Sequence, residues 1–90
     1  MQEFFLGTYY QASDTRYPGH AHEPEEMYHT LVGTTQWGDS LDNLGWYGPD
    51  EFRFHPSEHP HAMVVPAQSA HLLAIYCWTG NVNGLYWYTE

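Results

Sequence analysis

The chain has no lysine, two arginines and one cysteine among its 90 residues, and each scarcity removes a class of function. Arg16 and Arg53 face eleven acidic residues, giving a formal charge of −9. No cationic patch can neutralise a run of phosphates, so nucleic acid is excluded as a partner, and an anionic membrane surface is disfavoured by the same sign. Such a field draws cations instead, whether metal ions or small positively charged substrates. Cys77 has no second cysteine to bridge within the chain. The opening Met1-Gln2-Glu3-Phe4-Phe5-Leu6 has no basic leader and no long apolar run, so neither a signal peptide nor a membrane span is expected and the cytoplasm is the expected location.

Long helical windows are missing too. Pro18, Pro24, Pro49, Pro56, Pro60 and Pro66 interrupt the chain, and proline inside a helix costs about 3 kcal/mol. Aromatic residues are plentiful, at 18%, with eight Tyr and four Trp, and they favour pleated sheet. Short aromatic and β-branched runs alternate with Gly, Pro, Asn and Asp clusters, the pattern of an all-β sandwich or barrel. The expected strands are Phe4 to Tyr10, Tyr17 to His22, Glu26 to Trp37, Leu44 to Tyr47, Glu51 to His55, His61 to Val65 and Leu72 to Trp78. Leu85 to Tyr88 adds a last edge. Gly38 to Asn43 reads as a loop between halves and Thr79 to Gly84 as the turn before the final strand. The whole, residues 1–90, reads as one domain. A chain this short buries only about 60 to 70% of its unfolded surface. With disulfides excluded, a metal ion or a partner subunit is the expected source of extra stability, and a homodimer is expected.

Chemistry concentrates in His20-Ala21-His22-Glu23-Pro24-Glu25-Glu26-Met27-Tyr28. His20, His22, Glu26 and Tyr28 share one parity, and on strands alternate side chains point the same way. Two strand ends on either side of Pro24 can aim all four into one interior. Imidazole and carboxylate together suit zinc, iron, nickel, manganese or cobalt. A second histidine-rich segment, His55 to His61, offers a fourth ligand. His61 is the choice because it opens the apolar strand Ala62-Met63-Val64-Val65, whereas His55 and His59 sit among prolines and read as loop residues. His29 and His71 are assigned to surface or packing. The plainer alternative is that the seven histidines are solvated side chains of an acidic protein, since His-x-His alone is a weak motif.

These residues resemble the first cupin motif: His20-x-His22, three residues, Glu26, six residues, Gly33. Asp14 stands where that motif expects an earlier glycine. The second motif is looser, with Gly48, Pro56 and His61 recognisable but Glu58 and Val65 in place of the usual glycine and asparagine. Within the cupins the pattern is similar to the dimethylsulfoniopropionate (DMSP) lyases: Tyr17-Pro18, His20-x-His22, Glu25-Glu26-x-Tyr28, Gly33, Trp37, Pro60-His61-Ala62-Met63, Leu72-Leu73-Ala74 and Trp78-x-Gly80. The similarity runs from Tyr17 onward, and because such enzymes are usually longer at the N-terminus, the chain reads as a minimal or N-terminally shortened version.

The resemblance implies a small jelly-roll barrel, a double-stranded β-helix, holding one divalent transition metal ion through His20, His22, Glu26 and His61. It implies a carbon–sulfur lyase that splits a small zwitterionic sulfonium substrate into dimethyl sulfide and acrylate by β-elimination. The metal takes the substrate carboxylate and Tyr28 is the base. A phenol with pKa near 10 is only about 0.1% ionised at pH 7, so lowering its pKa by about 3 units needs about 4 kcal/mol of preferential stabilisation of the phenolate. The sulfonium end calls for aromatic faces, each worth about 0.5 to 2 kcal/mol, and Trp37, Tyr76, Trp78 and Tyr86 are the candidates. Two other readings compete: a metal-dependent cupin with dioxygenase or isomerase chemistry, and a non-catalytic cupin that binds metal or a small ligand.

Overall fold

Turn residues cut the chain into nine strands, all paired antiparallel, in a computed structural model that describes residues 3–90. They are β1 (Glu3–Gln11), β2 (Thr15–His22), β3 (Glu25–Val32), β4 (Thr35–Ser40), β5 (Asn43–Tyr47), β6 (Phe52–His55), β7 (His61–Val65), β8 (Leu72–Gly80) and β9 (Tyr86–Tyr88). No helix occurs among the described residues. One sheet has the order β1-β8-β3-β6 and the other β5-β4-β7-β2-β9. Apart from the β4-β5 hairpin, neighbours in these orders are distant in sequence, as in a jelly roll, where both sheets close over one interior.

Several expected boundaries move. The single strand from Glu26 to Trp37 is two, in different sheets, because Gly33 breaks it with φ of 101°. A Cβ there would press on the His71 carbonyl oxygen at 3.0 Å, so both the backbone angle and the close approach call for glycine. The loop expected over Gly38 to Asn43 shrinks to a hairpin turn at Leu41-Asp42, since β4 runs on to Ser40. His55, read as a loop residue, ends β6 directly across from Glu26. The last edge strand does not pair with β8: the 79–84 segment carries the chain across to the other sheet, where β9 pairs with β2.

The core lies between the sheets at one end of the barrel, where Tyr28, Trp37, Met63, Val65, Leu72 and Ala74 pack together. Its apolar character drives closure at about 25 cal/mol per Å² removed from water. At the other end the inward positions are polar and aromatic, and there the chemistry gathers.

Candidate active site

Glu23-Pro24 passes the chain from one sheet to the other, so the motif on either side of it ends up face to face. β2 delivers His20 and His22 from the five-stranded sheet, and β3 delivers Glu26 and Tyr28 from the four-stranded sheet. β7 adds His61, directly across from His20. All five side chains are buried.

Backbone carbonyls orient the three imidazoles. Nδ1 of His20 lies 2.8 Å from Pro18 O, Nδ1 of His22 lies 2.8 Å from Pro24 O, and Nδ1 of His61 lies 3.1 Å from His59 O. A carbonyl only accepts, so each Nδ1 carries a proton; in the neutral ring Nε2 then keeps its lone pair, the arrangement found in metal-ligating histidines, whereas a protonated His22 donates from Nε2 to Glu26 as well. His22 Nε2 is 3.1 Å and His61 Nε2 is 3.5 Å from the same oxygen, Glu26 Oε1. At that longer distance His61 Nε2 has no hydrogen bond and is sealed from solvent, which ordinarily costs about 1 to 3 kcal/mol.

Ligand atoms of His22, Glu26 and His61 all lie within 4.8 Å of one another. Bonds of about 2.1 Å to a tetrahedral cation separate its ligands by about 3.4 Å. The trio therefore fits a divalent transition metal, and the orphaned nitrogen is where one would bind. His20 stands beside the trio. Its ring stacks on Tyr17 with centroids 3.7 Å apart and meets the His61 ring at 4.1 Å.

Burial would raise the pKa of Glu26, but the imidazoles of His22 and His61 and the Trp78 indole around it prevail and hold it at about 2. The indole N–H of Trp78 donates to Glu26 Oε2. For His22 burial works downward, yet its hydrogen bond to Glu26 and that carboxylate's charge raise its pKa. His20 has less compensation, and burial takes it down to about 4. Burial followed by the Glu26 charge pushes the Tyr28 hydroxyl well above its ordinary value of 10, and burial likewise lifts Tyr17 to about 12. Within the chain alone, neither phenol is ionised at neutral pH.

These groups line a cavity of about 170 Å³ bounded by His20, His22, Glu26 and Tyr28 on its polar side. Tyr9, Tyr17, Tyr76, Trp78 and Tyr86 supply most of the remaining wall, and no Lys or Arg contributes. Three of the aromatic residues expected at the substrate thus reach the cavity: Tyr76, Trp78 and Tyr86. Trp37 does not. It is buried behind Tyr28, edge to face with centroids 4.7 Å apart, and its indole N–H bonds Thr35 Oγ1.

Sequence reasoning missed three neighbours of the site. Tyr9 and Tyr17 line the cavity; Tyr17 stood in the matching pattern without a role, and for Tyr9 only alternation along β1 could have pointed to it. His55 lies flat against His61, with centroids 3.8 Å apart and planes 11° apart, and its Nε2 is buried without a partner. Its inward parity with Arg53 was legible, but the flanking Pro56 suggested a loop.

Residues 1–73 match the dimethylsulfoniopropionate lyase family. The chain belongs to that family. Its similarity to the dimethylsulfoniopropionate lyase DddQ of Ruegeria pomeroyi is 32% identity over 74 residues, 82% of this chain and 36% of the relative. The crystal structure of DMSP lyase DddQ from Ruegeria pomeroyi superposes with a TM-score of 0.85 at 28% identity, covering 96% of this chain and 43% of that one. A cupin-like protein from Thermotoga maritima has a TM-score of 0.82 at 11% identity over 97% of this chain and 65% of its own, a likeness of fold alone. The all-β cupin barrel expected from the motifs is therefore the fold, and the DMSP lyase resemblance is borne out at the level of family. The chain spans less than half the length of either DddQ chain it matches. None of the described residues forms a helix long and apolar enough to cross a membrane.

Proposed function

We propose that this domain cleaves dimethylsulfoniopropionate to dimethyl sulfide and acrylate. The observation that carries the proposal is the cavity itself: Nε2 lone pairs of His22 and His61 converge with Glu26 at one end, and aromatic faces free of cationic side chains form the rest. His22, Glu26 and His61 would hold one divalent transition metal, with His20 the adjoining imidazole able to join them. When bound, such an ion supplies Lewis-acid stabilisation for a carboxylate whose α-carbon loses a proton, and it favours ionisation of a neighbouring phenol.

The chain's own residues do the rest. Tyr28 follows Glu26 by two positions on β3 and lines the same cavity, where its oxygen, once ionised to the phenolate, can receive the α-proton. The electron pair left on the α-carbon forms the new double bond as the bond from the β-carbon to sulfur breaks, and sulfur departs as a neutral thioether with the bonding pair. Tyr76, Trp78 and Tyr86 present π faces to the sulfonium, each worth about 0.5 to 2 kcal/mol. Their apolar surface limits water around the cation and favours its conversion to an uncharged product. Trp37 and His55 pack behind Tyr28 and His61 and keep their rings from turning.

The test is headspace detection of dimethyl sulfide from metal-loaded protein mixed with the substrate, with His22→Ala as control. Sulfide release by the parent chain alone is the expected result. A folded, metal-bound protein that releases none would overturn the proposal.

A further inference from the structure

Sheet residues that point away from the site are apolar as well, which is unusual for a surface facing water. Along one row across the four-stranded sheet, Leu6 stands opposite Cys77, Cys77 opposite Met27 and Met27 opposite Phe54. The next row runs Thr8, Ile75, His29, Phe52. Phe4 is 72% exposed, Phe52 63% and Leu6 62%.

Ten large apolar side chains on this face are 36% to 72% exposed. Together they present about 900 Å² of surface, against about 300 to 600 Å² for the largest patch of an ordinary monomer and about 800 Å² per partner in a stable complex. Charge is almost absent from it. Although the chain carries eleven acidic residues, Glu25 at one end is the only one among the outward-pointing side chains of described positions on these four strands.

We infer that this face of the β1-β8-β3-β6 sheet is an isologous interface with a second copy of the chain. Two copies of net charge −9 repel over most orientations. This face lets them meet with few carboxylates to desolvate, and its area is what a standard dimer requires. A broad, regular sheet is self-complementary under a two-fold axis, with the two layers about 10 Å apart as in a β-sandwich. The inference is independent of the proposed chemistry.

Interfaces of this size associate with dissociation constants from about micromolar down to picomolar, so sedimentation velocity carried up to about 100 µM tests it. The expected species has twice the 10.5 kDa of one chain. Ile75→Lys and Phe52→Lys are each expected to weaken association at least 100-fold while circular dichroism stays unchanged. Trp46→Lys, on the other sheet, is expected to leave the dimer intact. A parent chain that is monomeric throughout, or open-ended in its association, overturns the inference without any variant. So does a dimer that survives both face substitutions or is lost through Trp46→Lys.

Discussion

His55 provides the sharpest test of how the buried imidazoles govern stability. Its ring is 1% exposed, stacked on His61 and packed against Trp37 and Tyr28. Burial, followed by the His61 charge, lowers its pKa from 6.5 to about 2. Below pH 6.5 the unfolded chain takes up a proton at this position and the folded chain does not, so stability falls as the pH drops through 6.5 and goes on falling until about pH 2. The slope is about 1.4 kcal/mol per pH unit. Between pH 7 and pH 5 this one residue costs the metal-free fold about 2 kcal/mol, a sizeable share of the roughly 5 to 15 kcal/mol that a domain has. His20, lowered to about 4, loses a similar amount over the same interval, while the raised pKa of His22 acts in the opposite direction. Urea unfolding in the presence of a chelator, at pH 7 and pH 5, reads the difference directly. His55→Phe keeps a flat ring against His61 but cannot titrate, so its stability loss between the two pH values should be smaller than the parent's by about 2 kcal/mol, or about 1 to 2 M in urea midpoint. Any overpacking by the larger ring shifts both midpoints together and drops out of the comparison. An unchanged pH dependence in His55→Phe would refute the argument.

Tyr28→Phe should retain metal while sulfide release falls by about 100- to 10,000-fold, the usual scale for removing a general base; metal content and headspace analysis together check it. His22→Ala and His61→Ala should each lose metal to a chelator at concentrations the parent chain resists, as measured by elemental analysis after dialysis. Trp78→Phe removes the indole donor from Glu26 Oε2. The Glu26 pKa should then rise and metal affinity fall by about 10- to 100-fold, which competition with a metal-binding dye would report.

Much of the site could be read before the fold was known because its residues are close in sequence. His20, His22, Glu26 and Tyr28 lie within nine positions, and parity alone placed them on one inward surface. His61 came from a local cue, the start of an apolar strand. What could not be read depends on distant pairing. His55 reaches the site because β6 pairs with β3 in the register that sets it opposite Glu26, and no short-range pattern encodes that register. Tyr9 and Tyr17 are similar cases, since aromatic residues are so frequent here that alternation selects too many of them. Trp37 was misplaced for a related reason. Without proline between Glu26 and Trp37, the segment read as one strand, while Gly33 in fact sends Trp37 into the opposite sheet and beneath Tyr28.

The strands that build the site have apolar residues on both faces, and this joins the chemistry to the proposed association. On β3, Glu26 and Tyr28 point inward while Met27 between them points out, and on β8, Tyr76 and Trp78 point inward while Cys77 between them points out. A sheet residue cannot shift on one face without moving its neighbours on the other, because the backbone between them is held by the ladder. Covering Met27, Cys77 and Phe54 with a second copy would therefore restrain the strands that carry the carboxylate, the phenol and the aromatic wall. That restraint matters in a chain of 90 residues with one cysteine, where no disulfide fixes the sheet and the orphaned His61 nitrogen leaves the interior incompletely satisfied. A metal between His22, Glu26 and His61 would tie β2, β3 and β7 across both sheets from within, and the dimer would brace the four-stranded sheet from outside. The two meet on β3, which carries Glu26 on its inner face and Met27 on its outer one, so their stabilising effects should reinforce each other.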